Sequence, residues 1–296
     1  MSSNYLRHEL PGKVVVTFFG VFLVVLTLCL VFYITSKGLA TFFENKVSPL
    51  EFLFSKVWMP DRDLSNGGPV VGALIFIVGS LLVSGLALVI STPLSVAVAI
   101  FMTEISEKLG KKVLQPAIEI LVGIPSVVYG WIGLSLLVPF IKNVFGGLGF
   151  SLLAGGLVLA VMIFPTITSV SCDALRAVSD DYREASVAMG ATRWQTIYRV
   201  VVPAATPGML SGIVLGLARA FGEALAVQMV IGNTIRLPGS ILDSTINLTS
   251  IITMDMGNTV MGTAWNNALW SMAMLLLLIS FLFIFIIRKI GVKENS

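Results

Sequence analysis

Two ionisable residues stand inside one of the most apolar stretches of the chain. Residues 211–233 read SGIVLGLARAFGEALAVQMVIGN and carry Arg219 and Glu223. An ionisable group at membrane depth costs about 2.5–3.5 kcal/mol on insertion scales, so two of them need a reason. Spaced four apart, they fall on one face of a helix and can pair with each other. One consequence is a self-neutralised salt bridge that fixes helix rotation. The other is a substrate path. Arginine offers a permanently charged planar fork suited to oxyanions, and the glutamate would hold the guanidinium in position and keep the path from binding an anion too tightly to release. The same expected helix carries Gly208, Gly212, Gly216, Ala220 and Ala224 at steps of four. Such a ridge lets another helix approach closely, either within the chain or at a seam between subunits.

A second informative segment is 179–203, SDDYREASVAMGATRWQTIYRVVVP. It resolves into two short helices. Asp181 can cap the first, with Glu184 three residues on, as in a capping box. Gly190 stops that helix, because glycine tolerates the left-handed conformation after a helix end. Thr192 starts the second, with Gln195 three residues on. Trp194, Ile197, Tyr198 and Val201 then form one apolar face, and Pro203 marks its end. An ordered shelf of this kind can dock a partner, or it can lie against its own membrane domain.

Other chemistries find little support. The Gly-Lys pairs 12–13 and 110–111 lack the upstream glycine and following hydroxyl residue of a nucleotide-binding loop, so an ATPase must be a separate partner. The single histidine, His8, rules out an HExxH protease. Asp180 and Asp181 could suggest a metal-dependent transferase, but the remaining acids on that side are scattered, and helix capping explains the pair more simply. Cys29 and Cys172 show no metal or disulfide spacing and read as buried filler.

The elements that must position these residues follow from composition. Of 296 residues, 56% are hydrophobic and only 12% charged, where a soluble domain carries about 25% charged residues. Six apolar runs near 14–35, 70–102, 113–141, 151–171, 208–232 and 268–287 are long enough to cross a bilayer. The second and third are long and can tilt, extend past the membrane, or break at Pro93 and Pro125. The first is too long for a secretory signal and reads as a retained helix. Twelve lysines and arginines fall on the side of the two termini and of the loops after the second and fourth spans, against six on the other side. The richer side is cytoplasmic, which puts both termini there. The outer loop 36–69 is aromatic enough to pack against the outer face of the membrane domain. A net charge of +3 calls for no nucleic-acid partner.

The 179–203 segment resembles the signature loop of bacterial ABC import permeases: E-A-A, three residues, G, nine residues, then I-x-L-P. It stands here as Glu184, Ala185, Ser186, then Gly190, then Val200, Val202 and Pro203. The stretch Arg219-Ala220-Phe221-Gly222-Glu223-Ala224-Leu225-Ala226-Val227, ending in Ile231-Gly232-Asn233, is similar to the fifth-span motif of phosphate-specific transport permeases of the PstC type. Gly123-Ile124-Pro125-Ser126-Val127-Val128-Tyr129-Gly130 in the third span is also typical of them. Ala224-Leu225 departs from the Thr-Met common in that group. The resemblance runs from about residue 70 to the C-terminus. It implies an all-α membrane protein of about six transmembrane helices with the type I importer architecture. The permease domain is 14–290, with outer loop 36–69 and cytoplasmic coupling loop 172–207, between cytoplasmic tails 1–13 and 291–296. It implies phosphate import by alternating access, with Glu184, Ala185 and Gly190 coupling to the ATPase and Arg219 and Glu223 lining the path. The implied partners are a PstB-like ATPase dimer, a PstA-like sister permease, a PstS-like binding protein and membrane lipid, with no cofactor in this chain. The alternatives are a permease for molybdate, tungstate or sulfate, or the sister PstA-type subunit.

Overall fold

The computed structural model describes residues 3–63, 65 and 67–293, with side chains described between residues 12 and 285. The outermost parts of both expected tails, residues 1–2 and 294–296, lie outside the described residues. Among the described residues, six helical segments are long and apolar enough to span a membrane: Gly12–Phe43, Leu74–Ile105, Ser126–Phe145, Leu152–Arg176, Arg193–Gly222 and Ala264–Phe285.

Helix α1 (Ser3–Gly38) is apolar on all sides from Val14 to Ile34 and packs along α15 (Ala264–Lys293). Its end approaches α15 closely at Gly38, where a Cβ would strike Met274, and the Tyr33 and Trp270 rings meet edge to face. The following loop is ordered. It holds α2 (Ala40–Phe43), α3 (Pro49–Phe54) and two short antiparallel strands, β1 (Trp58–Met59) and β2 (Val70–Val71). Phe52 is fully buried in a cluster with Phe76, Leu248, Leu269 and Met272. Phe42, Phe52 and Trp58 of this loop therefore pack on the chain's own helices, whereas Phe43 and Phe54 are exposed.

Helix α4 (Leu74–Ile100) passes through Pro93 without a break and continues into wider π-helical turns at Phe101–Ile105. The carbonyl that Pro93 leaves without its usual partner belongs to Val89, on the exposed face of the helix. Short α5 (Glu107–Leu109) and a π-helical stretch lead into α6 (Gln115–Gly123). The third span does break at its proline. Ile124 and Pro125 are extended, with ψ of 127° and 142°, and α7 (Ser126–Ile132) starts afresh, running through π-turns into α8 (Val138–Phe145). Proline lacks an N–H and pushes the residue before it out of the helical region. The single run expected at 113–141 is thus two helices.

Helix α9 (Leu152–Arg176), capped by the Ser151 hydroxyl, is the most buried span and lies between α4 and α12 (Val202–Gly222). The glycine ridge of α12 faces α9. A Cβ at Gly208, Gly212 or Gly216 would meet Ala174, Val170 or Ile167. These three glycines of the ridge serve packing within the chain.

Between α9 and α12 lie α10 (Asp180–Ala188) and α11 (Arg193–Thr196). The second of these was expected to stop at Pro203. Instead α11 runs through π-turns at Ile197–Val201 directly into α12, and Pro203 lies just past those wider turns without ending the helix. The fifth span also ends ten residues before the expected 232, because α12 stops at Gly222. A separate α13 (Leu225–Ile231) follows, then α14 (Leu248–Asp255), whose first residues are buried against α4 and α15.

Candidate functional site

Arg219 and Glu223 do not form the pair that their spacing suggested. Glu223 is already extended, with ψ 122°, so the helical register that would stack it on Arg219 has ended. Its Oε1 accepts the Ala226 N–H at 3.2 Å, capping α13, and its carbonyl accepts the Thr249 hydroxyl at 2.8 Å. Arg219 instead donates from Nη1 to Thr166 Oγ1 on α9 at 3.0 Å. Among the described residues no carboxylate lies within salt-bridge distance of Arg219. The guanidinium is held by a neutral group.

Its depth can be read along α9. Gly208 meets Ala174 near one end, and Gly155 faces Ile231 and Val227 near the other. Thr166 is the fifteenth of 25 residues in a helix about 38 Å long. Arg219 therefore sits near the middle of the span. Both Arg219 and Thr166 are half-buried, so neither is sealed in the chain's own core.

Two broken helices meet beside this point. On α7, Gly130 lies where a Cβ would touch Ala226 and Met229 of α13. Tyr129 of the same helix donates from its hydroxyl across the Pro125 break to the Leu121 carbonyl at 2.8 Å, satisfying an end of α6. The third-span and fifth-span motifs are thus brought together. Irregular backbone at membrane depth is tolerated where protein or a cavity surrounds it, and such broken helices commonly build transport sites.

A cavity of about 600 Å³ lies between α1, α12, α14 and α15 and reaches Gly222 and Ala224, but not Arg219. Its hydroxyls at Thr27, Thr249, Thr253 and Ser280 donate to backbone carbonyls. It offers an ion no free donor, and the charged locus lies outside it.

The shelf is ordered as its turn chemistry implied, with one shift. The N-cap of α10 is Ser179, whose hydroxyl accepts the Asp181 N–H, so Asp181 lies within the first turn instead of capping it. Gly190 adopts φ +85°, the left-handed region. Thr192 and Gln195 form the full capping box. Ser186, where the family pattern has alanine, is buried and bonds Thr196 Oγ1 at 2.9 Å, joining α10 to α11. Glu184, Ala185 and Gly190 are exposed. The expected apolar face splits: Ile197 and Val201 are buried, whereas Trp194 and Tyr198 are 62% and 66% exposed. The π-turns at 197–201 shift the register, and those two rings join Tyr182, Val187 and Met189 on the outward surface of the shelf.

Arg183 ties the shelf to the spans. It donates to Glu104 Oε1 at 2.7 Å, to the Leu175 and Val178 carbonyls at the end of α9, and to Asp180. The Glu104 bond above all holds the Arg183 proton more tightly than usual. Arg193 adds bonds to the Glu104 and Ile105 carbonyls. Sequence reading missed Glu104, Thr166 and the Ser186–Thr196 bond. Their partners are 10 to 79 residues away, and no local pattern marks such pairs.

The profile of the family described as "Binding-protein-dependent transport system inner membrane component" matches residues 91–293. The chain belongs to this family. It is a multi-pass permease subunit of an ABC importer in the bacterial inner membrane, a transport component and not an enzyme. It is 54% identical over 293 residues to the probable ABC transporter permease protein YqgH of Bacillus subtilis, covering 99% of this chain and 94% of that one. It is 34% identical to the phosphate transport system permease protein PstC of Pasteurella multocida, covering 84% and 82%. Among solved structures, a bacterial alginate ABC transporter in complex with its alginate-bound periplasmic protein aligns with TM-score 0.65 over 97% of both chains at 13% identity. The inward-facing MetNI methionine transporter aligns with TM-score 0.55, covering 74% of this chain and 92% of that one at 22% identity. At these identities the structures speak for the fold alone.

Proposed function

We propose that this permease passes inorganic phosphate through the membrane, using Arg219 as the fixed cation of the path. The observation that carries this reading is the uncompensated guanidinium near mid-depth. A charge there that no carboxylate neutralises favours an anion passing beside it, and the planar fork suits a tetrahedral oxyanion. The PstC relatives point the same way. Glu223 contributes by fixing the break at which α12 ends and α13 begins, placing the α13 N-terminus beside the path.

Transport proceeds by alternating access. A PstS-like binding protein docks on the outer side, on surfaces that include the loop 36–69. A PstB-like ATPase dimer grips the shelf through Glu184, Ala185 and the turn at Gly190, with the exposed rings of Tyr182, Trp194 and Tyr198 adding apolar contact. A homologous PstA-like permease completes the path. Both termini lie on the cytoplasmic side, and α1 turns its apolar surface to lipid.

The test is uptake of radiolabelled phosphate into vesicles carrying this chain with its ATPase, sister permease and binding protein, with sulfate and molybdate as competitors. ATP-dependent uptake that ignores the competitors is expected. Arg219→Ala abolishes it while the complex still assembles. Transport of molybdate or sulfate in place of phosphate would move the substrate to another oxyanion. Full uptake by Arg219→Ala would remove the path assignment.

A further inference from the structure

We infer that Thr166 is a second anion-contacting residue, presenting its hydroxyl beside the Arg219 guanidinium so that the two groups form one two-point donor site for a tetrahedral oxyanion. The inference rests on the phosphate-path reading and deepens it.

Hydroxyls on the spanning helices of this chain mostly turn back on their own backbone. Thr103, Thr168, Thr206, Ser211 and Ser280 each donate to the carbonyl four residues earlier, at 2.8–3.1 Å. That bond satisfies the hydroxyl and makes the residue little more polar than its apolar neighbours. Thr166 behaves differently. Its Oγ1 accepts from Arg219 Nη1 at 3.0 Å, and among the described residues it has no acceptor for its own proton. A hydroxyl carries one donor as well as its acceptor lone pairs. Accepting from a cation also polarises the O–H and makes it a better donor. Arg219 keeps its remaining N–H groups, with no further partner among the described residues.

Two unengaged donor groups therefore stand side by side, both half-buried and both near the middle of α9. Arg219 Nη1 and Thr166 Oγ1 are 3.0 Å apart, near enough for each to take a different oxygen of the same ion. Pro165, immediately before Thr166, is buried within α9. As at Pro93, its missing N–H leaves the carbonyl four residues earlier, here that of Val161, without its helical partner. The ligand class is an anion with at least two adjacent acceptor oxygens. A cation or an apolar solute gains nothing from this pair.

The experiment compares Thr166→Val, which keeps the shape and removes the hydroxyl, with Thr166→Ser, which keeps the hydroxyl. Thr168→Val serves as a control at a hydroxyl bonded to its own helix. Each variant is assayed in the complete reconstituted complex for ATP-driven phosphate uptake, subunit co-purification and ATP hydrolysis. Thr166→Val should lower uptake about tenfold or more, the loss of one hydrogen bond to a charged group. Assembly should be unchanged, and Thr166→Ser and Thr168→Val should stay within about twofold of the parent. Parent-like uptake by Thr166→Val, or a Thr166→Ser as impaired as Thr166→Val, would overturn the inference. If Arg219→Ala abolishes uptake while Thr166→Val does not, only this inference fails. If Arg219→Ala also transports normally, the phosphate-path reading fails with it.

Discussion

Gly190 holds φ +85°, and a proline there would have to take a value near −65°. No atom lies within 4 Å of a Cβ at this site, so a substitution acts through backbone strain and not through collision. Gly190→Ala carries only the left-handed penalty of about 1–2 kcal/mol. Gly190→Pro cannot adopt the turn at all. The expected result is ATP hydrolysis that no longer drives uptake, measured as anions moved per ATP in reconstituted vesicles, and intact coupling would remove the docking role of this turn. This position was legible in the sequence, as was the Thr192–Gln195 box, because both depend on neighbours within four residues. The Arg219–Glu223 pair was misread for a physical reason. A four-residue spacing means contact only if the helix continues, and Gly222 followed by a glutamate that can cap the Ala226 N–H lets the chain leave the helix between them.

At the scale of elements, Arg183 binds α10 to two spans at once. It satisfies carbonyls at the end of α9 and grips Glu104 in the π-turns that extend α4, with both side chains largely shielded at 23% and 10% exposure. A push on the shelf is then delivered to α4 and α9 together. Glu104→Ala leaves the guanidinium without its main partner and should cost about 1–3 kcal/mol. The measurement is the melting temperature of the purified complex, with transport per ATP alongside. A melting temperature unchanged from the parent would show the tether to be idle. The double charge swap Glu104→Arg with Arg183→Glu should recover only part of the loss, because the reversed pair no longer caps α9. The two prolines illustrate where element reading stops. Pro93 and Pro125 look alike in the sequence, yet only Pro125 breaks its helix. It stands two residues after Gly123, and Tyr129 is placed to satisfy the Leu121 carbonyl across the gap.

For the whole molecule, the number of spans was plain from apolar runs alone, since a bilayer sets their length. Their arrangement was not. α9 is central because Gly155, Gly156 and the glycines of α12 allow close approach, but uniformly apolar helices do not announce which neighbour they will take. The distribution of lysine and arginine bears on orientation and predicts that both termini face the cytoplasm. An alkaline phosphatase fused at the C-terminus should be inactive, and a fluorescent protein in its place should glow. An active phosphatase fusion would reverse the topology and move the shelf to the wrong side for ATP.

The charge at Arg219 bears on how the subunit is made. During insertion, before any partner or anion has arrived, the fifth span must enter lipid carrying a cation balanced only by the neutral oxygen of Thr166. The tight fit of Gly208, Gly212 and Gly216 against α9 gives that span a neighbour within its own chain to dock on.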